Sequence, residues 1–170
     1  MIAYHEINEY LDALELPQSL EQILTMQYAL EGKEMQFFRA ARHHFKDSID
    51  YEVYRFKPVH CIGCCKVNLT RTGMYFLLDD EIIGVHTSII KGFSEEADWE
   101  ITQFKLEDIR ELEFDYSTNS LSNFEKGILF LKVLNERGAI RSRTFRNLNP
   151  NHFQCFQDFH SNVMENKRFK

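Results

Sequence analysis

The sequence predicts an α+β protein, with helices first, about seven short strands next and one helix at the end. Two observations lead to this prediction. Apolar residues recur at helical spacing over roughly the first 47 residues, and from about residue 51 their period falls to two, which is typical of strands. Short connections between the alternating runs favour an antiparallel sheet. We therefore expect a small antiparallel β-barrel or sandwich in residues 48–170, capped by its C-terminal helix, and an N-terminal helical segment in residues 1–47.

The N-terminal segment is predicted to contain three amphipathic helices. Pro17 interrupts the first because proline cannot supply a helical hydrogen bond. Ser19 and Gln22 have the spacing of a capping box at the start of the second, which Gly32 is expected to end. In the third, Met35–Phe38 is also compatible with a strand. The three apolar stripes comprise Ile7, Tyr10, Leu11 and Leu14; Leu20, Ile23, Leu24 and Tyr28; and Met35, Phe38, Ala41 and Phe45.

The strand-like runs are separated by recognisable turns. The runs cover residues 51–56, 65–70, 74–78, 82–85, 99–104, 112–116, 127–134 and 139–145. Turns are predicted at 70–73 and 79–81, a bend at 106–109, and polar loops at 91–98 and 117–126. Asn135–Gly138 predicts a tight hairpin turn. Asn149 suits the N-cap of the last helix and Pro150 its first position.

Charge and cysteine content restrict the class of protein. The 170 residues carry a net charge of -6, which argues against general binding of nucleic acid. Residues 126–170 are nevertheless net basic, so a local anion site is compatible with the sequence. No apolar run approaches the roughly 20 residues of a transmembrane helix. Three of the four cysteines crowd into residues 61–65 instead of being distributed as disulfide staples, so we expect a cytoplasmic protein.

Two stretches resemble a known superfold. Residues 68–76, which read Asn-Leu-Thr-Arg-Thr-Gly-Met-Tyr-Phe, are similar to a Leu-Thr, turn and aromatic-strand pattern. Residues 104–112 are similar to a strand followed by an apolar-x-Asp-Ile bend and the next strand. Together with the order of elements, they resemble the pleckstrin-homology-like (PH-like) superfold in its bacterial PH or GRAM-like form, over roughly residues 50–165. The resemblance implies a barrel that presents a binding surface and performs no catalysis.

The predicted C-terminal hairpin carries the candidate binding residues. Arg141 and Arg143 alternate with Ser142 and are expected to share one sheet face, where forked guanidinium groups grip phosphate or carboxylate. The alternative is a structural role in ion pairs with acidic residues of a neighbouring strand, Glu111, Glu113 and Asp115. The candidate ligand- or partner-binding residues are Lys126, Lys132, Arg137, Arg141, Arg143 and Arg146.

Cysteine and histidine residues offer alternative sites. His60, Cys61, Cys64 and Cys65 are zinc-ligand types, but in a strand Cys61 and Cys65 face one side and Cys64 the other. The simpler interpretation is that these cysteines are small core residues, so no metal is predicted. A redox-active thiol is the other alternative. His152 and Cys155 lie one helical turn apart, as in a Cys-His dyad, although no oxyanion site is recognisable.

The predicted function is therefore a non-catalytic interaction or adaptor module. No phosphate-binding loop, dinucleotide fingerprint, nucleophile elbow or HExxH zinc motif occurs. We expect no cofactor and either a protein partner or self-association, because the surface is mostly acidic. A cysteine-based metal or redox sensor and a module that binds anionic lipid are the alternatives.

Overall fold

A computed structural model describes residues 9–25, 32–67, 71–88, 98–115, 128–146 and 150–168. Within these ranges nine strands form two antiparallel sheets, of two and seven strands. The strands are β1 (Gln18–Ser19), β2 (Pro58–Val59), β3 (Cys61–Val67), β4 (Arg71–Leu77), β5 (Glu81–Ser88), β6 (Glu100–Lys105), β7 (Ile109–Asp115), β8 (Ile128–Leu134) and β9 (Ile140–Arg146). The helices are α1 (Leu20–Thr25), α2 (Gly32–Ser48), α3 (Tyr51–Tyr54) and α4 (Pro150–Arg168). The predicted α+β class and the C-terminal helix are confirmed.

Within the described residues the larger sheet ends at β6 and at β7, where the sequence predicted a single barrel or sandwich. Its strand order is β6-β5-β4-β3-β9-β8-β7, so no hydrogen bonds join β6 to β7 in the described part of the chain. A short 3-10 helix, Leu106–Asp108, separates these two strands. Helix α4 packs against this segment, and a ring nitrogen of His160 lies 3.1 Å from the carbonyl oxygen of Ile109. In the described part of the chain the expected barrel therefore does not close between β6 and β7, and α4 packs against the short segment that joins these two strands.

Strands β3 to β5 are buried on both faces. Side chains alternate between the two faces of a strand, so neighbouring residues enter different cores. Cys64 and Phe76 lie in a core shared with the N-terminal helices. Cys61 and Tyr75 lie in a second core, shared with β7 to β9 and with Phe156 of α4. The central strands are consequently apolar on both sides.

The N-terminal segment is attached to the sheet by specific contacts. The predicted capping box is confirmed, because Ser19 N–H donates to Gln22 Oε1 at 3.0 Å and Gln22 N–H donates to Ser19 Oγ at 3.2 Å. Arg55 donates to Glu21 Oε1 at 2.5 Å, which joins α1 to the turn after α3. Leu11, from the first predicted stripe, is buried in the core that contains the sheet. The described part of this stripe therefore packs against residues of the same chain. The domain boundary at residue 47 stays a prediction.

Several local predictions are wrong. Residues 51–54 form α3 because Tyr51 and Tyr54, three residues apart, both pack on the core while Val53 is exposed. Met35–Phe38 lies inside α2, so the predicted third helix is confirmed and the strand alternative is wrong. Gly32, which was expected to end the preceding helix, begins α2 with a φ of 64°. Residues 71–73 belong to β4 and not to a turn. Ile7, Tyr28, Asn149 and the predicted loop 117–126 lie outside the described residues.

Glu81 provides a pH-dependent link between β5 and α3. Its carboxylate is buried, and the Tyr54 hydroxyl lies 3.1 Å from both of its oxygens. Burial raises the pKa of Glu81, and the hydrogen bond from Tyr54 opposes this shift. Burial and the nearby Glu81 charge raise the pKa of Tyr54 to about 12. The tyrosine therefore remains a donor at neutral pH.

The raised pKa predicts how Glu81 affects stability. A carboxyl group whose pKa is higher in the folded state stabilises the fold fully below its unfolded pKa, near 4.5, and this contribution disappears as the pH rises through the folded pKa. We expect Glu81→Gln, which cannot ionise, to gain stability relative to the wild type between about pH 4 and pH 7. Urea unfolding across this range tests the expectation, and a constant difference between the two proteins would contradict it.

Candidate functional site

The hairpin of β8 and β9 is built by a specific turn. Gly138 adopts a φ of 79°, a conformation that favours glycine. The side-chain oxygen of Asn135 accepts hydrogen bonds from the backbone N–H groups of Arg137 and Ala139, at 3.0 and 2.9 Å. The predicted turn is thereby confirmed. It sets the register in which Lys132 lies opposite Ser142 and Leu131 opposite Arg143.

The structure distributes the predicted basic residues over different surfaces. Arg141 and Arg143 lie opposite Val133 and Leu131, so they share one face, as expected. Lys132 lies on the other face, and Arg137 lies in the turn. Lys126 and the side chain of Arg146 are outside the described residues. The described members of the predicted set therefore do not form one continuous basic patch.

The ion pair observed on the hairpin also differs from the expected pairs of Arg141 and Arg143, because Lys132 takes part in it. Glu111 lies opposite Lys132 in the sheet, and its Oε2 accepts a hydrogen bond from Lys132 Nζ at 2.8 Å. This hydrogen bond and the charge of Glu111 raise the pKa of Lys132. The anticipated pairing of Glu111 with Arg141 and Arg143 is absent among the described contacts, because β8 lies between β7 and β9 in the sheet. A bulge between Ile109 and Glu111 sets the register that places Glu111 opposite Lys132.

The face of β7 to β9 that carries this ion pair is exposed. Phe130 is 40% exposed and Ile140 is 61% exposed, so two large apolar side chains share this face with the ion pair. A shallow depression of about 170 Å³ lies beside Phe130. The depression is lined by Glu111, Glu113, Phe130, Leu131, Lys132, Ser142 and Arg143. We call this surface, defined by the side chains of Glu111, Glu113, Phe130, Lys132, Ile140 and Ser142, the outer hairpin face.

The cysteines of β3 do not converge. Cys61 and Cys64 are buried in the two different cores, as the strand alternation predicted. His60 Nε2 lies 2.5 Å from Asp79 Oδ1. No group of three or more metal-ligating side chains occurs among the described residues, and the side chain of Cys65 is not among them. The described geometry therefore does not bring the zinc-ligand types together.

The suggested pairing of His152 with Cys155 is corrected by the structure. His152 Nδ1 contacts the hydroxyl of Tyr75, and its Nε2 lies 3.2 Å from Asp12 Oδ1. Burial lowers the pKa of His152. Cys155 instead forms a hydrogen bond with Cys61, across the interface between α4 and β3. Residues i and i+3 share a helix face, but tertiary packing gives each of these two a different partner.

A largely buried polar cluster lies on β4, β5 and β6 of the same sheet, and no sequence motif predicted it. Arg71 Nε donates to His86 Nδ1 at 2.7 Å, and Arg71 Nη2 donates to the carbonyl oxygen of Asp98 at 2.7 Å. Burial, with the positive charges of Arg71 and Arg143, lowers the pKa of His86 to about 4. Nε2 of His86 and Oγ1 of Thr102 have no partner among the described residues. The cluster combines three strands, which local spacing cannot reveal.

The fold and the site define an α+β protein with an antiparallel sheet, a capping helix and an exposed strand face of mixed apolar and charged character. No described helix is long and apolar enough to cross a membrane. No family model matches the chain. The chain is similar to an SPbeta prophage-derived uncharacterized protein, YokE, of Bacillus subtilis (strain 168), with 25% identity over 147 residues, 85% of this chain and 87% of that protein.

A comparison with solved structures finds the crystal structure of the complex of PDZ-RhoGEF DH/PH domains with GTPγS-activated RhoA. The match has a TM-score of 0.42 and 12% sequence identity. It covers 94% of this chain and 39% of the other, so this chain spans less than half the length of that neighbour.

Proposed function

We propose that this chain is a non-catalytic interaction module of PH-like or GRAM-like type, which binds a protein partner in the cytoplasm through the outer hairpin face. The observation that carries this proposal is the exposure of Phe130 and Ile140 on one strand face. Exposed apolar side chains surrounded by charged ones are typical of protein-binding surfaces. The Lys132–Glu111 pair and Glu113 supply that charged surround.

The arrangement of the two sheet faces supports this choice of surface. The outward face of β3 to β5 packs against the N-terminal helices and is not available to a partner. The inward face packs against α4 and β7 to β9. The outer hairpin face remains exposed among the described residues.

The charges on this face favour a protein over an anionic membrane. Attraction to anionic lipid requires several basic residues at one surface. The depression is lined by two acidic residues, Glu111 and Glu113, and by two basic ones, Lys132 and Arg143, so the surface has no excess of positive charge. Lys132 is already paired with Glu111. The apolar residues Phe130 and Ile140 are therefore the expected anchors, and the ion pair between Lys132 of β8 and Glu111 of β7 is expected to give specificity.

Photo-crosslinking in the native host tests this function. A photoreactive phenylalanine analogue at position 140 is expected to capture one discrete protein. The same analogue at position 53 is expected to capture none, because Val53 is similarly exposed, at 58%, but lies on α3 and not on the outer hairpin face. Phe130→Asp should reduce capture at position 140 by about tenfold or more, since anchor residues carry most of the binding energy. Urea unfolding should show that Phe130→Asp remains folded at the assay temperature, although a modest loss of stability is expected because the new carboxylate lies opposite Glu113.

The identity of the adduct and a lipid assay separate the alternatives. An adduct of this chain with itself would indicate self-association through the same face. Sedimentation with anionic vesicles that is lost at high salt and in Lys132→Ala would instead support the lipid alternative. Capture that is equal at positions 140 and 53, or insensitive to Phe130→Asp, would contradict the proposal.

A further inference from the structure

Two thiols meet where the C-terminal helix packs on the sheet. Cys61 lies at the start of β3 and is 3% exposed, whereas Cys155 lies on α4 and is half-buried. Both are free thiols, and Cys155 packs against the core cluster that contains Cys61. The two side chains form a hydrogen bond in which the Cys61 thiol donates to the Cys155 sulfur. They come from distant parts of the sequence, so only the fold pairs them.

The neighbourhood of this pair holds the helix in place. The Phe156 ring, next to Cys155 in the chain, lies 5.5 Å from the Tyr75 ring between centroids. Phe159, one turn after Cys155, lies over the His60 ring at 4.6 Å. Both contacts involve residues within the helical turn that follows Cys155, and His60 precedes Cys61 directly in the chain. A cross-link between the sulfurs would therefore join surfaces that are already packed together.

We propose that Cys61 and Cys155 form a reversible disulfide when the protein meets a peroxide, so that oxidation locks α4 onto the sheet. Cys155 is the attacking thiol because it is accessible. Cys61 is the resolving thiol because it is buried and in contact with Cys155. This inference concerns the opposite side of the sheet from the outer hairpin face and does not depend on the proposed function.

The chemistry balances with one peroxide molecule. The Cys155 thiolate attacks one peroxide oxygen, a sulfur–oxygen bond forms, the oxygen–oxygen bond breaks, and the departing hydroxide takes a proton to become water. Cys61 then loses its proton and attacks the Cys155 sulfur. The sulfur–sulfur bond forms, the sulfur–oxygen bond breaks, and a second water leaves. Two thiols are oxidised by two electrons, and the peroxide is reduced to two molecules of water. A small dithiol reverses the reaction by exchange.

The electrostatics of the pair agree with these roles. The hydrogen bond from Cys61 lowers the pKa of Cys155 to about 6, and the charge of His60 acts in the same direction. Burial and Asp158 oppose this shift. The pKa of Cys61 is raised by the same hydrogen bond, by burial and by the charge of Asp12. The lowered pKa favours the thiolate form of Cys155, whereas the raised pKa favours the protonated form of Cys61 until it resolves the intermediate.

The pH dependence of labelling is more informative than its rate at a single pH. A pKa near 6 increases the thiolate fraction at pH 7 by about 30-fold over an ordinary thiol, but lower nucleophilicity removes about tenfold of this gain. Only about threefold remains, which is too small to identify the site. The midpoint of the labelling profile should instead lie near pH 6 for Cys155 in the wild type. In Cys61→Ala the midpoint should shift upward, because the donated hydrogen bond is lost.

The test oxidises the full-length reduced protein with a stoichiometric amount of hydrogen peroxide. Wild-type protein should lose two titratable thiols and two hydrogens in mass, and peptide mapping should recover a peptide that joins Cys61 to Cys155. Dithiothreitol should restore both thiols. In Cys61→Ala the reaction should stop at a sulfenic acid that a dimedone probe traps at Cys155. In Cys155→Ser no disulfide should form.

Cys64→Ala is the matched control, because Cys64 is buried on the other face of the same strand. It should oxidise like the wild type. The proposal is overturned if Cys155→Ser loses thiols as fast as the wild type, if the mapped disulfide joins any other pair, or if the native protein forms no disulfide although its unfolded chain does. Circular dichroism of each variant verifies that it is folded before oxidation.

Discussion

Gly73→Ala is expected to reduce the free energy of unfolding by about 3 kcal/mol or more. Gly73 lies in β4 opposite His86 of β5. A Cβ atom at this position would lie 2.6 Å from the Cβ and 2.8 Å from the Cα of His86, and it would also meet the carbonyl oxygen of Val85. Backbone atoms of a paired strand cannot move away without disrupting the ladder, so overpacking cannot be relieved by a change of rotamer. Equilibrium unfolding in urea measures the effect.

Gly138→Ala is the matched control for this substitution. Gly138 has a φ of 79°, and no atom lies within 4 Å of the Cβ that alanine would add. Gly138→Ala should therefore reduce the free energy of unfolding by about 1–2 kcal/mol, and only because alanine disfavours a positive φ. A loss at Gly73 no larger than the loss at Gly138 would show that β4 and β5 are not packed as closely as described.

Phe45→Ala is expected to destabilise the protein by about 3–5 kcal/mol. Phe45 is fully buried on α2, and its ring centroid lies 5.2 Å from that of Phe76 on β4. The cavity would lie between the N-terminal helices and the sheet, within one shared core. Because both sides lose contacts, helical and near-ultraviolet circular dichroism signals should disappear together in urea, at a lower midpoint than in the wild type.

Val53→Ala provides the comparison on the same side of the molecule. Val53 is exposed, so its truncation should change stability by no more than about 0.5 kcal/mol. If Phe45→Ala instead produced an early helical transition followed by a wild-type transition of the sheet, residues 1–47 would unfold as a separate unit. That result would contradict the shared core and support the domain boundary predicted from the sequence.

Short-range chemistry explains the features that sequence analysis predicted correctly. The capping box of Ser19 and Gln22 is confirmed because its two hydrogen bonds join residues three apart. The hairpin turn at Asn135–Gly138 is confirmed because a side-chain amide and a glycine are sufficient to build it. The opposite orientation of Cys61 and Cys64 follows from strand geometry alone. The candidate binding residues stay a prediction.

The errors arise where short-range patterns compete with each other. Residues 51–56 satisfy the period of a strand, but Tyr51 and Tyr54 also satisfy the spacing of a helical turn. Core packing selects the helix because both tyrosines then lie against the sheet. The sequence offers ion pairs with Glu111, Glu113 and Asp115 as the alternative role of Arg141 and Arg143, whereas a bulge in β7 brings Glu111 to Lys132. A bulge of one residue moves every later side chain of the strand to the other face of the sheet, and the sequence contains no signal that predicts this bulge.

The local sequence was sufficient to predict the α+β class, the capping box at Ser19 and Gln22, the last hairpin turn and the C-terminal helix, but not the helix at Tyr51–Tyr54. Tertiary structure alone decided that the sheet stays open between β6 and β7, that the N-terminal helices cover the face of β3 to β5, and that Cys155 meets Cys61. The physical reason is the range of the interactions. Caps, turns and periodicity depend on residues a few positions apart, whereas these pairings join residues far apart in the chain and depend on the packing of the whole core.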